Sequence, residues 1–287
     1  MPSLIDIRRR IRSVRNTQQI TKAMKMVSAA KLRRAQDRVI AARPYAQIMQ
    51  RMLTNVALAA SEDPDTADNP LLARRPEKRI LLIVITADRG LAGAFNSNVV
   101  KAAQKFMTDF AEAEIALELL GRKGRDFFRK RHPNIAGEYA GMFQKAVRYE
   151  DALQIARKVT DMFRRAEIDS VYMTLNQFKT VMASELVVTR LLPIELPQTQ
   201  ERIDYIYEQP PAEILNALLP RYIEVQIYRA MLESAAAEHA ARMTAMDAAS
   251  SNAADVIDRL TLNMNRVRQA SITKEIIEIV SGAAALE

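Results

Sequence analysis

The side chains able to break or make a bond are few in this chain and far apart. There are two histidines, His132 and His239, and no cysteine. Disulfides, thiolate metal sites and a cysteine nucleophile are therefore excluded. His132 stands beside Pro133 and His239 sits among alanines, so neither has sequence neighbours for a triad or a metal site. The segment most like a phosphate loop is Thr86 to Asn96, TADRGLAGAFN. It lacks the G-x-G-x-x-G spacing, and no Lys-Ser/Thr follows Gly93. Gly90 and Gly93 are accordingly read as permitting a tight turn and close helix-to-strand packing, and no nucleotide is expected near Gly90. No G-x-S-x-G, H-E-x-x-H or EF-hand loop occurs. The residues point to binding, not to catalysis.

The elements that carry such a role are long helices. With 7 Gly in 287 residues and abundant Ala, Arg, Leu and Met, the composition favours helix over a turn-rich β fold. The longest aliphatic run, Ile80 to Ile85, is far short of the ~20 residues that span a bilayer. The first residues lack the charged-then-apolar order of a secretory signal. Net charge is +8, and its placement is uneven. Thirteen Lys or Arg stand against Asp6 and Asp37 between Met1 and Arg51, so the first fifty residues carry the whole excess. Such a basic helix is either a solvated face or the complement of an acidic partner.

Ser3-Leu-Ile-Asp6 has the form of a capping box and starts the first helix. Its apolar seam reads Leu4, Ile7, Ile11, Val14, slips in phase to Ile20, Met24 and Val27, then resumes through Leu32, Ala35, Val39, Ala42, Ala46, Met49, Leu53 and Val56. Pro44 predicts a kink. A polar, Pro-containing linker follows over 61–78. Strands are expected at Arg79 to Ile85, Ile115 to Leu120, Ser170 to Phe178 and Val181 to Leu192. Helices are expected after Phe95, near Lys123 to Arg131 and over Asp151 to Ala166. That alternation predicts a three-layer, Rossmann-like α/β domain over 79–209 with a parallel or mixed sheet.

From 210 to 287 a second long helix is expected, started by Pro211 and kinked or broken at Pro220. Its seam is Met243, Met246, Ala253, Ile257, Leu260, Met264 and Val267, with Ser250 in the one skipped position. A second stripe, Ile272, Ile276, Ile279, Ala283 and Leu286, continues out of phase, and Ile277 and Val280 add apolar surface on other sides. The insert of roughly 150 residues has an expected radius of only ~15 Å, so the second helix starts near where the first ends and the two run antiparallel. Lengths of ~85 and ~110 Å do not match. Pairing residue 58 with 211, the first helix runs out opposite about residue 266, which leaves ~30 Å of apolar helix unpaired. A partner's sleeve or self-association into a four-helix bundle would bury it, and the pattern alone weighs them nearly equally.

Blocks spread along the whole chain give a resemblance. Ile20 to Lys31 (ITKAMKMVSAAK), Asp88 to Gly93 (DRGLAG), Ala241 to Met246 (ARMTAM), Arg268 to Thr273 (RQASIT) and Glu278 to Ala283 (EIVSGA) resemble the gamma subunits of F-type proton-translocating ATP synthases of bacterial type. Ala92 stands where many members carry Cys, and the regulatory Cys insertion of chloroplast forms is absent.

The resemblance implies a central rotor shaft inside a ring of three alpha and three beta subunits, coupling proton-driven rotation of a membrane c-subunit ring to the catalytic sites of beta. It implies a non-catalytic subunit without a cofactor of its own, Mg-ATP and ADP being held by alpha and beta. Lys22, Met24 and Lys25 are implied to face an acidic loop of beta, and Arg268, Gln269 and Thr273 a polar loop of beta. The tip, Ile276, Ile279, Val280, Ala283 and Leu286, is implied to turn in an apolar sleeve. The foot, with Tyr205, Tyr207 and Glu208, is implied to meet the proton ring and the epsilon subunit. The implied location is peripheral, on the cytoplasmic face of the bacterial inner membrane, held there by partners alone. The rival is a basic coiled coil that binds nucleic acid or self-associates. In a bZIP-like protein, however, the basic block and the seam are successive, whereas here they interleave, so no nucleic acid is expected.

Overall fold

The computed structural model describes residues 3–60, 69–144, 146–181, 183–195 and 207–284, the last three of these as backbone. In chain order the elements are α1 (Leu4–Ala60), β1 (Arg79–Ile85), α2 (Phe95–Asp109), β2 (Glu114–Leu120), α3 (Arg122–Phe128), β3 (Ile135–Tyr139), α4 (Tyr149–Arg164), β4 (Ser170–Phe178), β5 (Ser184–Leu192) and α5 (Pro211–Ala284). They form two compact units, Met1–Ala29 with Arg242–Glu287, and Ala30–Ala241. The division falls inside the two long helices, not at their ends. Residues 30–60 and 211–241 belong with the sheet because side chains tie them to it. Arg38 Nη1 donates to the Val147 carbonyl at 3.4 Å, and the Tyr149 hydroxyl donates to Glu224 at 2.6 Å. Burial and that bond to Glu224 push the Tyr149 hydroxyl up to about 12.

The five-stranded sheet has the order β3-β2-β1-β4-β5. β1 pairs in parallel with β2 and β4, β2 in parallel with β3, and β5 runs antiparallel at the edge. β1 is buried from Ile80 onward, as a central parallel strand covered on both faces must be. One face presents Ile80, Leu82, Val84, Leu117 and Leu119 to Val99, Ala103 and Phe106 of α2 and to Phe128 of α3. Side chains alternate along β2, so Glu118 points to the other face. There it meets α4, whose Lys158 donates to both Glu118 oxygens at 2.9 Å and to the Ala136 carbonyl at 2.7 Å. A Cβ at Gly137 would lie 2.6 Å from Glu118 Oε1, so any larger residue there would push the ion pair aside.

Two expectations need correction. β3 was not anticipated, because IAGEY is half-buried with a Gly and a Glu inside it, and neither a continuous apolar run nor a clean alternation marks it. β5 begins at Ser184 instead of Val181, since a turn precedes it in which the Thr180 N–H donates to the Ala183 carbonyl at 2.9 Å. Pro220 does not end α5, and α1 likewise runs through Pro44. Ala212, Leu215, Leu219 and Ile223 are buried around Pro220. Their packing offsets the hydrogen bond a proline removes.

Lys158→Ala is expected to destabilise the chain by about 3–5 kcal/mol, because the fully buried Glu118 carboxylate loses its counter-ion. Adding Glu118→Gln should restore most of that in urea unfolding. A double variant no more stable than the single would show that the ion pair is not what Lys158 supplies.

Candidate functional site

The carboxyl ends of parallel strands are where open α/β sheets bind ligands, and in this chain the polar groups there are turned inward. Asp88 accepts from the backbone N–H groups of Arg122 at 2.9 Å, Gly141 at 2.7 Å and Phe143 at 2.9 Å. The Thr86 hydroxyl donates to the Leu120 carbonyl at 3.0 Å and accepts from the Gly124 N–H at 2.8 Å. Asn96 accepts from the Ala87 N–H at 2.9 Å. A Cβ on Gly121, whose φ is 95°, would come within 2.1 Å of the Thr86 carbonyl oxygen. The loop therefore ties one strand end to the next. Of the histidines, His132 Nε2 bonds the Ile115 carbonyl at 2.9 Å, and His239 is half-buried on α5. Among the described residues no cluster of His, Cys, Asp and Glu suits a metal.

The other candidate surface is the helical unit. Its first turn is closed by the capping box: the Asp6 N–H donates to Ser3 Oγ at 3.2 Å, and the Ser3 hydroxyl and N–H reach back to Asp6 Oδ2 at 2.8 and 3.3 Å. The segments of α1 and α5 run antiparallel, since Thr21 meets Ser250 and Lys25 meets Asp247. By that register Leu4 stands opposite about residue 267, within a turn of the position that counting along the sequence predicts. Val267 and Ser271 are the last half-buried positions of α5. Every described side chain from Ile272 to Ser281 is exposed.

The seam of α1 does not slip. Buried and half-buried positions keep alternating steps of four and three through Ile7, Ile11, Val14, Gln18, Thr21, Lys25 and Ser28, the heptad pattern of a coiled coil. Polar residues thus fill the middle of this seam. The Thr21 and Ser250 hydroxyls bond at 2.6 Å, Gln18 Nε2 donates to the Ser250 carbonyl at 3.4 Å, and Lys25 Nζ lies 2.6 Å from Asp247 Oδ1. Ile20 and Val27, expected in the seam, are 60% and 57% exposed. Extending the Val14 spacing by four and three without insisting on apolar residues would have found this arrangement.

The structure separates the expected contact residues into groups. Lys22 is exposed, Met24 is half-buried, and Lys25 is held by Asp247. Arg268, Gln269 and Thr273 are all exposed on α5, and the Thr273 hydroxyl donates to the Gln269 carbonyl at 2.9 Å. Ile276, Ile279 and Val280 are exposed, Ile279 to 72%. Ala283 lies on the described backbone only, and Leu286 and Tyr205 lie outside the described residues. Tyr207 is half-buried, its hydroxyl 3.5 Å from the Asn55 carbonyl, and Glu208 is exposed.

Residues 3–286 match the family model described as ATP synthase. Curated relatives include the ATP synthase gamma chain of Solibacter usitatus (strain Ellin6076), 64% identical over 287 residues and covering 100% of both chains. That of Pelotomaculum thermopropionicum is 52% identical over 290 residues, again covering 100% of each. Among solved structures, one of the central stalk and c-ring of the Tetrahymena thermophila mitochondrial ATP synthase gives a TM-score of 0.63 at 26% identity, over 80% of this chain and 99% of that one. A chain of the Euglena gracilis mitochondrial enzyme shares the fold, with a TM-score of 0.66 at 17% identity over 99% of this chain and 94% of that one.

A polar pair in a seam fixes register at some expense of stability. Thr21→Val with Ser250→Val is therefore expected to change stability by no more than about 1 kcal/mol while loosening the register. The chain has no native Cys, so oxidative cross-linking of Val14→Cys with Ile257→Cys reads the native register directly. The same Val14→Cys paired with Leu260→Cys reads a slip. Slipped cross-links should rise only when the hydroxyls are gone; an unchanged pattern would assign the register to the apolar residues.

Proposed function

The chain belongs to the ATP synthase gamma-chain family, a central-stalk subunit by that membership, and from this premise we propose that it acts as a shaft without bond chemistry of its own. The observation that carries the reading is the apolar surface left uncovered on the helical unit. Ile272, Ile276, Ile277, Ile279 and Val280 are all about half exposed or more. A helix with such a surface on several sides needs a surrounding partner. In the proposal three alpha and three beta subunits supply a sleeve around this tip. Arg268, Gln269 and Thr273 face a polar loop of beta just below it, and the fork-shaped Arg268 donor is suited to several directed bonds there. Lys22 and Met24 meet an acidic loop of beta, while Lys25 contributes charge from its place beside Asp247.

Turnover of Mg-ATP and ADP belongs to sites on alpha and beta, and this chain takes no catalytic cofactor. It biases each site by contacting that site's conformations unequally, because only a differential interaction shifts an equilibrium. Glu208 and the Tyr207 ring, with Tyr205, contact the proton-conducting c-ring and the epsilon subunit. Among the described residues no helix is long and apolar enough to cross a membrane. The proposed place is peripheral, on the cytoplasmic face of the bacterial inner membrane, held by partners.

Reconstitution tests the proposal. The chain mixed with alpha and beta should co-elute at one copy per three of each, with Mg-ATP hydrolysis only in fractions that contain it. Elution alone or as its own oligomer, with the other subunits inactive, would refute the shaft reading and give the tip to self-association. Arg268→Ala should weaken assembly by about 2 kcal/mol, roughly 30-fold, and leave the thermal unfolding of the free chain unchanged. Unfolding of the free variant with normal turnover per folded complex would reverse that assignment. Removal of every residue after Ala270 should likewise spare the free fold, since the described side chains it removes are nearly all exposed, and loosen the complex. Full-strength torque from such a truncated shaft would show that the sleeve contributes little.

A further inference from the structure

A cavity of about 300 Å³ opens in the unit that contains the sheet, between α1, the loop before α4 and α5. Lys31, Arg34 and Arg38 of α1 line it from one side. Spaced by three and four residues, they stand above one another on a single helix face. Phe143 and Leu232, both buried, form an apolar wall, and His239 stands at its edge. Among the described residues no carboxylate lines the cavity. Among the described residues none of the three cations has an ion-pair partner. Arg79, Arg148, Arg190 and Arg221 of the same unit, by contrast, each hold an acid within 3.2 Å. Arg38 Nη1 donates to the Val147 carbonyl at 3.4 Å, which holds its guanidinium beside the cavity.

Three like charges on consecutive turns of one helix repel, and a concave, partly apolar site strengthens their field toward an anion. The volume is at the lower end of those that hold small organic ligands. Arg forks bind phosphate through paired hydrogen bonds, and the Phe143 and Leu232 wall offers burial to a flat apolar body. We propose that this cavity is a binding site for a small phosphate-bearing molecule with a flat apolar body, separate from every partner contact described above. An acidic loop of a protein partner would satisfy the cations but leave the apolar wall unfilled, so the small molecule is favoured.

Titration calorimetry on the full-length chain with 1-naphthyl phosphate, inorganic phosphate and 1-naphthol tests the site. 1-Naphthyl phosphate should bind once per chain and about tenfold or more tighter than inorganic phosphate, through burial of its rings, and 1-naphthol should not bind measurably. Arg34→Ala with Arg38→Ala should weaken the naphthyl ester at least about tenfold, whereas Arg8→Ala with Arg9→Ala, in the other unit, should leave it unchanged. Ala235, half-buried at the cavity, offers a second variant. Ala235→Met should fill the apolar part and weaken the ester while sparing inorganic phosphate. No saturable binding of either phosphate probe, or equal binding by the Arg34 and Arg38 double variant, would overturn the proposal. So would a poly-glutamate peptide that binds where neither phosphate probe does.

Discussion

The helical unit depends on a stretch where its seam is held by hydrogen bonds instead of apolar packing. Gln18, Thr21, Lys25 and Ser28 occupy successive inward positions of α1, and Thr21 and Lys25 reach Ser250 and Asp247 directly. Methyl groups in those places would bury more area, yet they pack almost as well after sliding by a turn. Two hydroxyls 2.6 Å apart do not. The exchange has a second effect. With polar groups inside, the apolar side chains of this segment, Ile20, Met26 and Val27, stand on the outside, next to Lys22. The segment is thereby stabilised less by its own seam and leaves more apolar surface exposed.

The sheet-containing unit follows the opposite rule. Its central strand is buried from Ile80 to Ile85, and the fully buried carboxylate of Glu118 is matched by Lys158. The strand ends where an enzyme of this architecture would hold a nucleotide are closed by Asp88, Thr86 and Asn96. All three side chains accept backbone N–H bonds that hold the loops. Few polar groups at these strand ends are left loose.

Much of this was legible in the sequence, for reasons that differ by element. β1 and β4 were readable because burial on both faces leaves an unbroken run of strand-forming residues. The start of α1 was readable because a capping box is a local device. The length of helix beyond Val267 was readable because it rests on counting rise per residue. The middle of α1 was misread for a physical cause: Ile20 and Val27 are apolar yet exposed, and periodicity alone does not tell an inner seam from an outer stripe. β3 was missed because an edge strand is only half covered, so its Gly and Glu erase the alternation. The cationic cavity was invisible since Phe143 and Leu232 are far from Lys31 in sequence and meet it only through the fold.

In the proposed function this chain turns inside a ring of partners and does its work by contact. The most direct measurement attaches a bead through a single cysteine introduced at the exposed Glu208, with the alpha and beta ring fixed to a surface, and records the bead's angle under Mg-ATP. Sustained rotation in one direction, with pauses at angles set by the symmetry of the ring, is the expected result. A bead that only fluctuates about one angle, in complexes that hydrolyse ATP at full rate, would contradict it.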